Sequence, residues 1–179
     1  MTTRKPPRKN EDETPDTAMA SPGSKPARIE FGLMPQSPYL AVMLIDLDKT
    51  GLIDGNQQDG YFLTILPGDH WLITFTLNNA WHWTFDTDPI SFKTAAHAKN
   101  YKLVSQSPRQ VVIEASSPYP KHISPNPWPK AEEQPFNLYV LMEQSNKKTY
   151  AMTIDPDVKN PPLGGNRMGP ITAMAVPIG

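Results

Sequence analysis

The segment His70-Trp-Leu-Ile-Thr-Phe-Thr-Leu-Asn78 decides the fold class, because a large apolar residue occupies every second position of it. These apolar residues fall on one face: Trp71, Ile73, Phe75 and Leu77. A period of two is the spacing of a β-strand, whose side chains alternate between the two faces of a sheet. The segment therefore predicts a half-buried strand with its aromatic face turned toward a core.

Similar patterns recur along the chain. Residues 136–143 alternate in the same way, and short apolar runs bounded by turn residues predict further strands at 39–47, 61–66, 81–85, 89–93, 100–105, 110–115 and 149–154. Residues 94–99 contain three alanines and predict one helical turn. Seven to nine short strands separated by turn signals are typical of an all-β antiparallel β-sandwich, with a closed barrel as the alternative.

Composition divides the chain into a body and two tails. Twenty-one of the 179 residues are proline, which removes a backbone donor and disfavours a helical bundle. Residues 1–28 carry ten charged residues and five prolines with almost no large apolar side chain, which predicts a disordered tail. We expect the β-sandwich domain at 29–159 and an irregular tail rich in proline and glycine at 160–179.

Charge and cysteine content limit the partners and the chemistry. The formal net charge is −1, so no strong positive field predicts binding to nucleic acid or to an anionic membrane. The absence of cysteine excludes disulfides, thiolate metal sites and cysteine nucleophiles. No apolar run follows Met1 and no stretch has the length of a membrane span, which predicts a cytoplasmic protein. No cofactor is expected.

The end of the last predicted strand carries a motif. Residues 150–154 run into Asp155-Pro156, and Asn160-Pro161-Pro162 follow. This resembles the closing motif of the DP-EP family of small bacterial proteins, in which Asp-Pro precedes Asn-Glu-Pro; here Pro161-Pro162 replaces the Glu-Pro step. The resemblance covers roughly residues 38–161. It implies a β-sandwich and supplies neither an activity nor functional residues.

The segment Asp46–Gln57 has the oxygen spacing of a calcium loop. Asp46, Asp48 and Asp54 stand at positions 1, 3 and 9, with Thr50 at position 5. A twelve-residue calcium loop needs a bidentate glutamate at its last position, and Gln57 is neutral. The sequence therefore favours a polar turn over a calcium site.

Three residues form a candidate metal or catalytic group: His70, His82 and Asp86. Two strands joined by a short turn would bring the histidines close, and Asp86 shares a face with His82. Surface histidines are the simpler interpretation. No nucleophile elbow, phosphate loop or dinucleotide motif is found, so an enzyme is the less favoured hypothesis.

The proline-rich segment 116–135 is the predicted contact surface. It holds Tyr119, His122 and Trp128 among six prolines, whereas Trp71, Trp81 and Trp83 are expected in the core. Prolines limit the entropy that such a segment loses on ordering. The leading hypothesis is a non-enzymatic interaction or structural module that binds a protein partner or associates with itself. The alternatives are a domain that binds carbohydrate or another small ligand, and a metal-dependent enzyme using the candidate histidines.

Overall fold

The computed structural model describes residues 21–36, 39–56, 60–93, 95–119, 132–133, 136–143, 148–154, 157–160 and 173–177. These residues form thirteen strands and one short helix. The bounds are β1 Lys25–Gln36, β2 Tyr39–Asp46, β3 Ile53–Asn56, β4 Gly60–Thr64, β5 His70–Leu77, β6 Trp83–Phe92, α1 Ala95–Ala98, β7 Tyr101–Ser107, β8 Gln110–Ser116, β9 Glu132–Glu133, β10 Phe136–Glu143, β11 Thr149–Ile154, β12 Asp157–Asn160 and β13 Ala173–Pro177. Within these ranges no helix is long and apolar enough to cross a membrane.

The strands make three sheets. A five-stranded sheet has the order β2-β1-β5-β8-β7, and a four-stranded sheet has the order β13-β11-β10-β6. A third, smaller sheet has the order β3-β4-β12-β9. The predicted all-β sandwich is confirmed.

The two larger sheets pack face to face through aromatic side chains. The ring centroid of Phe75, on β5, lies 5.3 Å from that of Phe31 on β1 and 6.0 Å from that of Phe136 on β10. Tyr101 on β7 stacks on Phe92 of β6 at 5.4 Å. The Phe31–Phe75 contact lies within the five-stranded sheet, whereas the Phe75–Phe136 and Tyr101–Phe92 contacts join that sheet to the four-stranded sheet as the two layers of a sandwich.

The alternation read from the sequence matches burial in the structure. The predicted inward residues of β5 and β10 are all buried: Trp71, Ile73, Phe75, Leu77, Phe136, Leu138, Val140 and Met142. The turn predicted at Pro67-Gly68-Asp69 is present, because Asp69 N donates to Leu66 O at 2.9 Å and Gly68 has a φ of 75°. Proline followed by a glycine with positive φ is the arrangement of a type II turn. The helical turn predicted at 94–99 is α1.

Strand direction departs from a purely antiparallel arrangement at two places. β1 pairs in parallel with β5, and β12 pairs in parallel with β4. The other described ladders are antiparallel. A parallel pair needs a crossover connection, and here β2, β3 and β4 lie between β1 and β5 in the chain.

The predicted boundary of the N-terminal tail at residue 28 is wrong by several residues, because β1 begins at Lys25. Lys25 Nζ lies 2.7 Å from Asp69 Oδ1 and 5.2 Å from the ring centroid of Trp71, and Ala27 is buried. Ser24 Oγ donates to Glu114 Oε1 at 3.2 Å. Long-range contacts order this segment, and local composition does not encode them. Residues 1–20 of the predicted tail lie outside the described residues.

The predicted irregular segments also need correction. Residues 173–177 form β13, which pairs with β11, and Asn160 closes β12. Within segment 116–135, Ser116 ends β8 and residues 132–133 form β9. Small residues give a weak strand signal by themselves, and a neighbouring strand supplies the pairing.

Candidate binding pocket at the β5–β6 connection

Residues 78–82 carry the chain from one face of the sandwich to the other. β5 ends in the five-stranded sheet and β6 begins in the four-stranded sheet. Such a crossing leaves several backbone carbonyls outside any ladder, and buried carbonyls need donors. The side chain of one arginine supplies many of them.

Arg109 lies in the tight turn between β7 and β8 and fixes the connection. Its Nη1 donates to the carbonyl oxygens of Trp83 at 2.8 Å and Trp81 at 3.4 Å. Its Nη2 donates to the carbonyl of Leu77 at 2.9 Å, to the carbonyl of Asn78, and to Oδ1 of Asn79 at 2.8 Å. The guanidinium group presents its donors in a fixed planar fork, so one side chain orients several successive carbonyls.

Two further bonds tie the connection to its surroundings. The indole Nε1 of Trp83 donates to Asn78 O at 2.8 Å, and Glu143 N donates to His82 O at 2.8 Å. Trp83 is only 1% exposed and anchors the segment in the core. The side chains that project from the connection are therefore held on a fixed backbone.

A pocket of about 460 Å³ lies beside this connection. Its lining includes Thr84, Leu141, Glu143 and Thr149 from β6, β10 and β11, Trp81 and His82 from the connection, and Arg109. The volume lies within the range of about 300–1,000 Å³ that is typical of small-molecule sites.

The pocket combines an aromatic surface with both hydrogen-bond donors and hydrogen-bond acceptors. Trp81 is half-buried, whereas His82 and Glu143 are exposed. The carboxylate of Glu143 accepts hydrogen bonds, the hydroxyls of Thr84 and Thr149 both donate and accept, and the imidazole of His82 does the same in its neutral form. The arrangement is suited to binding a ligand by stacking and hydrogen bonding.

Trp81 corrects the prediction that three tryptophans belong to the core. Trp71 and Trp83 are buried as expected. Trp81 packs against the core on one side and lines the pocket on the other. Alternation placed Trp81 in register with Trp83, but β6 begins at Trp83, and Trp81 belongs to the preceding connection.

The predicted metal group is not assembled by a hairpin of β5 and β6. These strands lie in different sheets, and His70 begins β5 while His82 follows its far end. At about 3.3 Å per residue, the strand from His70 to Leu77 spans about 23 Å. Among the described residues no group of three metal-ligating side chains comes together.

Asp86, the third member of that group, is engaged locally. Its Oδ1 accepts hydrogen bonds from Thr87 N at 2.6 Å and from Thr87 Oγ1 at 3.0 Å. It lines a smaller pocket of about 190 Å³ with Gln106 and Pro108, apart from the residues around Trp81.

The segment with calcium-loop spacing forms a closed turn. Asp46 Oδ2 accepts from Thr50 Oγ1 at 2.9 Å and from Gly51 N at 3.1 Å, and Asp46 Oδ1 accepts from Asp48 N at 3.2 Å. Lys49 and Gly51 have positive φ values of 53° and 75°. Both carboxylate oxygens of Asp46 thus accept hydrogen bonds from groups within the turn itself.

Of the predicted contact residues, Tyr119 falls within the described part of the chain. It is half-buried, and its carbonyl accepts a hydrogen bond of 2.7 Å from Gly68 N. Its backbone is therefore tied to the turn before β5. His122 and Trp128 lie outside the described residues, and their role in binding stays a prediction.

No signal in the sequence points to the pocket as a whole. Arg109 lies 26 to 32 residues from the carbonyls that it binds. The hydrogen bond between Glu143 N and His82 O joins the end of β10 to the connection that precedes β6. The one visible feature is the tryptophan pair 81 and 83, and its alternating spacing predicts two core residues. No family model matches the chain, and no curated protein matches it significantly. The resemblance to the DP-EP family stays a prediction.

Proposed function

We propose that this chain is a non-enzymatic interaction module that pairs with a second copy of itself along the outer edge of β2. The observation that carries the proposal is the difference between the two edge strands of the five-stranded sheet. In the described residues, β2 pairs with β1 alone and β7 pairs with β8 alone. Edge strands present unpaired backbone groups, and proteins usually protect them against pairing with other chains.

In the part of the chain that the structure describes, β7 carries such protection and β2 does not. Lys102 is exposed on β7, and the register between β7 and β8 shifts between Leu103 and Ser105. Lysines and bulges are recognised means of preventing edge-to-edge pairing. β2 has no charged residue before Asp46, and its register with β1 runs without a break from Tyr39 to Asp46.

β2 also ends in an exposed apolar pair. Ile45 is 41% exposed and Leu47, just beyond the strand, is 43% exposed. Val42 and Leu44 on the same strand are buried, so β2 keeps its inner face in the core while Ile45 faces outward. β13 approaches β2 across the two layers, but in the described residues no ladder joins them.

A second copy is the partner that this edge fits. Two identical strands pair antiparallel about a two-fold axis, so the same edge serves both copies. The formal net charge of −1 gives little repulsion between copies. The proposal includes the cytoplasmic location predicted from the sequence, which cell fractionation tests.

Sedimentation velocity over a range of protein concentrations tests the proposal. We expect a dimer in the unsubstituted 179-residue chain and a shift toward monomer in Ile45→Lys, because a lysine on an edge strand opposes pairing. Leu103→Lys is the matched control, since Leu103 is 38% exposed on the opposite edge strand.

A monomer at every concentration would overturn the proposal, and so would a dimer that resists Ile45→Lys but dissociates in Leu103→Lys. A dimer that dissociates in Trp128→Ala and not in Ile45→Lys would show that the interface lies in the proline-rich segment 116–135 and not at β2.

A further inference from the structure

We propose that the pocket beside the β5–β6 connection binds a neutral polyhydroxylated ligand, that is, a mono- or oligosaccharide. This site is independent of the β2 edge, and the two proposals stand or fall separately. The inference rests on the combination of Trp81, His82 and Glu143 around one cavity.

The aromatic component is Trp81. Its half-buried side chain lines the cavity while it packs against the core, so its position is supported from behind. The apolar C–H face of a pyranose ring can pack against an indole ring, which offers a large and rigid apolar surface. Leu141 extends the apolar part of the lining.

The polar component suits hydroxyl groups. A sugar hydroxyl donates one hydrogen bond and accepts others, so a site for sugars needs both acceptors and donors. Glu143 supplies an acceptor, the threonine hydroxyls of Thr84 and Thr149 supply both, and the imidazole of His82 supplies a donor and an acceptor when it is neutral. A site that hydrogen-bonds hydroxyl groups discriminates strongly against analogues that lack them.

Charge favours a neutral ligand over an ionic one. The pocket lining contains one carboxylate, that of Glu143, and one guanidinium, that of Arg109. With His82 neutral, these formal charges cancel. Arg109 directs its Nη donors to carbonyls of the connection and to Asn79, so its guanidinium is already engaged and is poorly placed to recruit an anion.

The backbone around the pocket is preorganised. The five acceptors of Arg109, the Trp83–Asn78 bond and the Glu143–His82 bond fix the segment that presents Trp81 and His82. A fixed site loses less conformational entropy on binding than a mobile one.

Saturation-transfer NMR and isothermal titration of the 179-residue chain test the inference. The probes are methyl glycosides of glucose, galactose, mannose and N-acetylglucosamine, together with cellobiose and chitobiose. Choline and inorganic phosphate serve as cationic and anionic probes. We expect saturable binding of at least one saccharide and no binding of choline or phosphate.

Variants locate the binding. Glu143→Gln keeps the size of an exposed side chain, and Trp81→Ala removes the stacking surface; each should weaken saccharide binding at least about tenfold. Asp88→Asn is the matched control, because Asp88 is an exposed carboxylate of β6 outside the pocket lining.

Three results would overturn the inference. They are no saturable saccharide binding up to about 50 mM, binding that is unchanged in Glu143→Gln, and binding of choline or phosphate in place of saccharides. A saccharide that binds Ile45→Lys as it binds the unchanged protein would agree with the independence of this site from the β2 edge.

Discussion

Arg28 Nη2 lies 2.6 Å from Asp48 Oδ1, and the backbone N–H of Arg28 donates to Asp48 Oδ2 at 3.0 Å. One residue of β1 thus engages both oxygens of a carboxylate in the turn after β2. The adjacent Leu47 N donates to Arg28 O at 2.9 Å, which adds a backbone bond to the same contact. The turn is held to the sheet by protein groups, and the charge of Asp48 is balanced by a guanidinium.

This arrangement predicts that calcium does not stabilise the protein. Asp48 is paired with Arg28, Asp46 holds donors of its own turn, and Gln57 stands where a calcium loop needs a bidentate acid. Differential scanning fluorimetry with millimolar CaCl2 or with EDTA should therefore give the same melting temperature. MgCl2 at the same ionic strength is the control. A rise with calcium that disappears in Asp46→Asn would show that the turn binds the ion.

A second prediction concerns the acid titration of Asp48. The side-chain hydrogen bond from Arg28 holds the pKa of Asp48 below its ordinary value, and the charge of Arg28 acts in the same direction. Because the folded pKa is the lower one, the stability that this contact adds is present above the unfolded pKa and is lost as pH falls through the folded pKa. Both groups are open to solvent, so the effect on stability should be small.

Carboxyl NMR titration measures that pKa directly. In Arg28→Met the pKa of Asp48 should rise toward the ordinary value of about 3.9. Lys49→Met is the control, since it removes a neighbouring exposed charge outside the Arg28 contact. An equal rise in both variants would mean that general charge, and not this hydrogen-bonded pair, sets the pKa.

The core should respond strongly to loss of an aromatic ring. Phe75 is fully buried between Phe31 and Phe136, so Phe75→Ala removes contacts in both sheets. We expect a cost of about 3–5 kcal/mol in the free energy of unfolding, measured by urea denaturation. Thr74→Ala, on the opposite face of β5, should cost about 1 kcal/mol or less. A cost below about 1 kcal/mol for Phe75→Ala would contradict the assigned inner face.

These core residues show what the sequence can predict. The inner faces of β5 and β10 follow from alternation alone, since a strand must place successive side chains on opposite faces. The sandwich follows from the number and spacing of such strands. β2, β8 and α1 lie close to where local patterns predicted them.

The features that local sequence patterns do not predict depend on contacts between residues that are distant in sequence. The start of β1 is ordered by Asp69 and Trp71, and β13 is ordered by β11. The pocket requires the β5–β6 crossing, whereas the histidine hypothesis assumed a hairpin between these strands. Local alternation carries no information on which sheet a strand joins, so it predicts Trp81 in the core although this residue lines the pocket.

Arg109 should contribute to stability through the carbonyls of the connection. Arg109→Met removes donors from Leu77, Asn78 and Trp83 without adding a charge. Each hydrogen bond from a charged donor contributes about 1.5–3 kcal/mol, and because several are lost together we expect a loss of at least about 1.5 kcal/mol. Lys99→Met, at an exposed cation between α1 and β7, should change the free energy of unfolding by about 0.5 kcal/mol or less.

Hydrogen exchange locates the same effect. Amides of residues 78–82 should exchange faster in Arg109→Met, while those of β10 and β11 change less. An equal increase across all strands would indicate global destabilisation only. An unchanged rate at 78–82 would contradict the role of Arg109 in fixing the connection.

Truncation shows from which residue onward the N-terminal segment contributes to stability. A protein starting at Ser21 retains Ser24, Lys25 and Ala27, whereas one starting at Ile29 loses the Lys25–Asp69 pair and four residues of β1 that pair with β5. The sequence of residues 1–20 predicts no packed contact, so the first truncation should keep the melting temperature of the full chain. The second should lower it by at least about 2 °C, because the lost pairing should cost about 1 kcal/mol or more, and 1 kcal/mol corresponds to about 2–4 °C in a chain of this size. Lys25→Met in the untruncated chain separates the contribution of the ion pair from that of the strand, and its effect should be smaller since Lys25 is more than half exposed. Equal melting temperatures for the two truncations would contradict the contribution of residues 25–28 to the sheet.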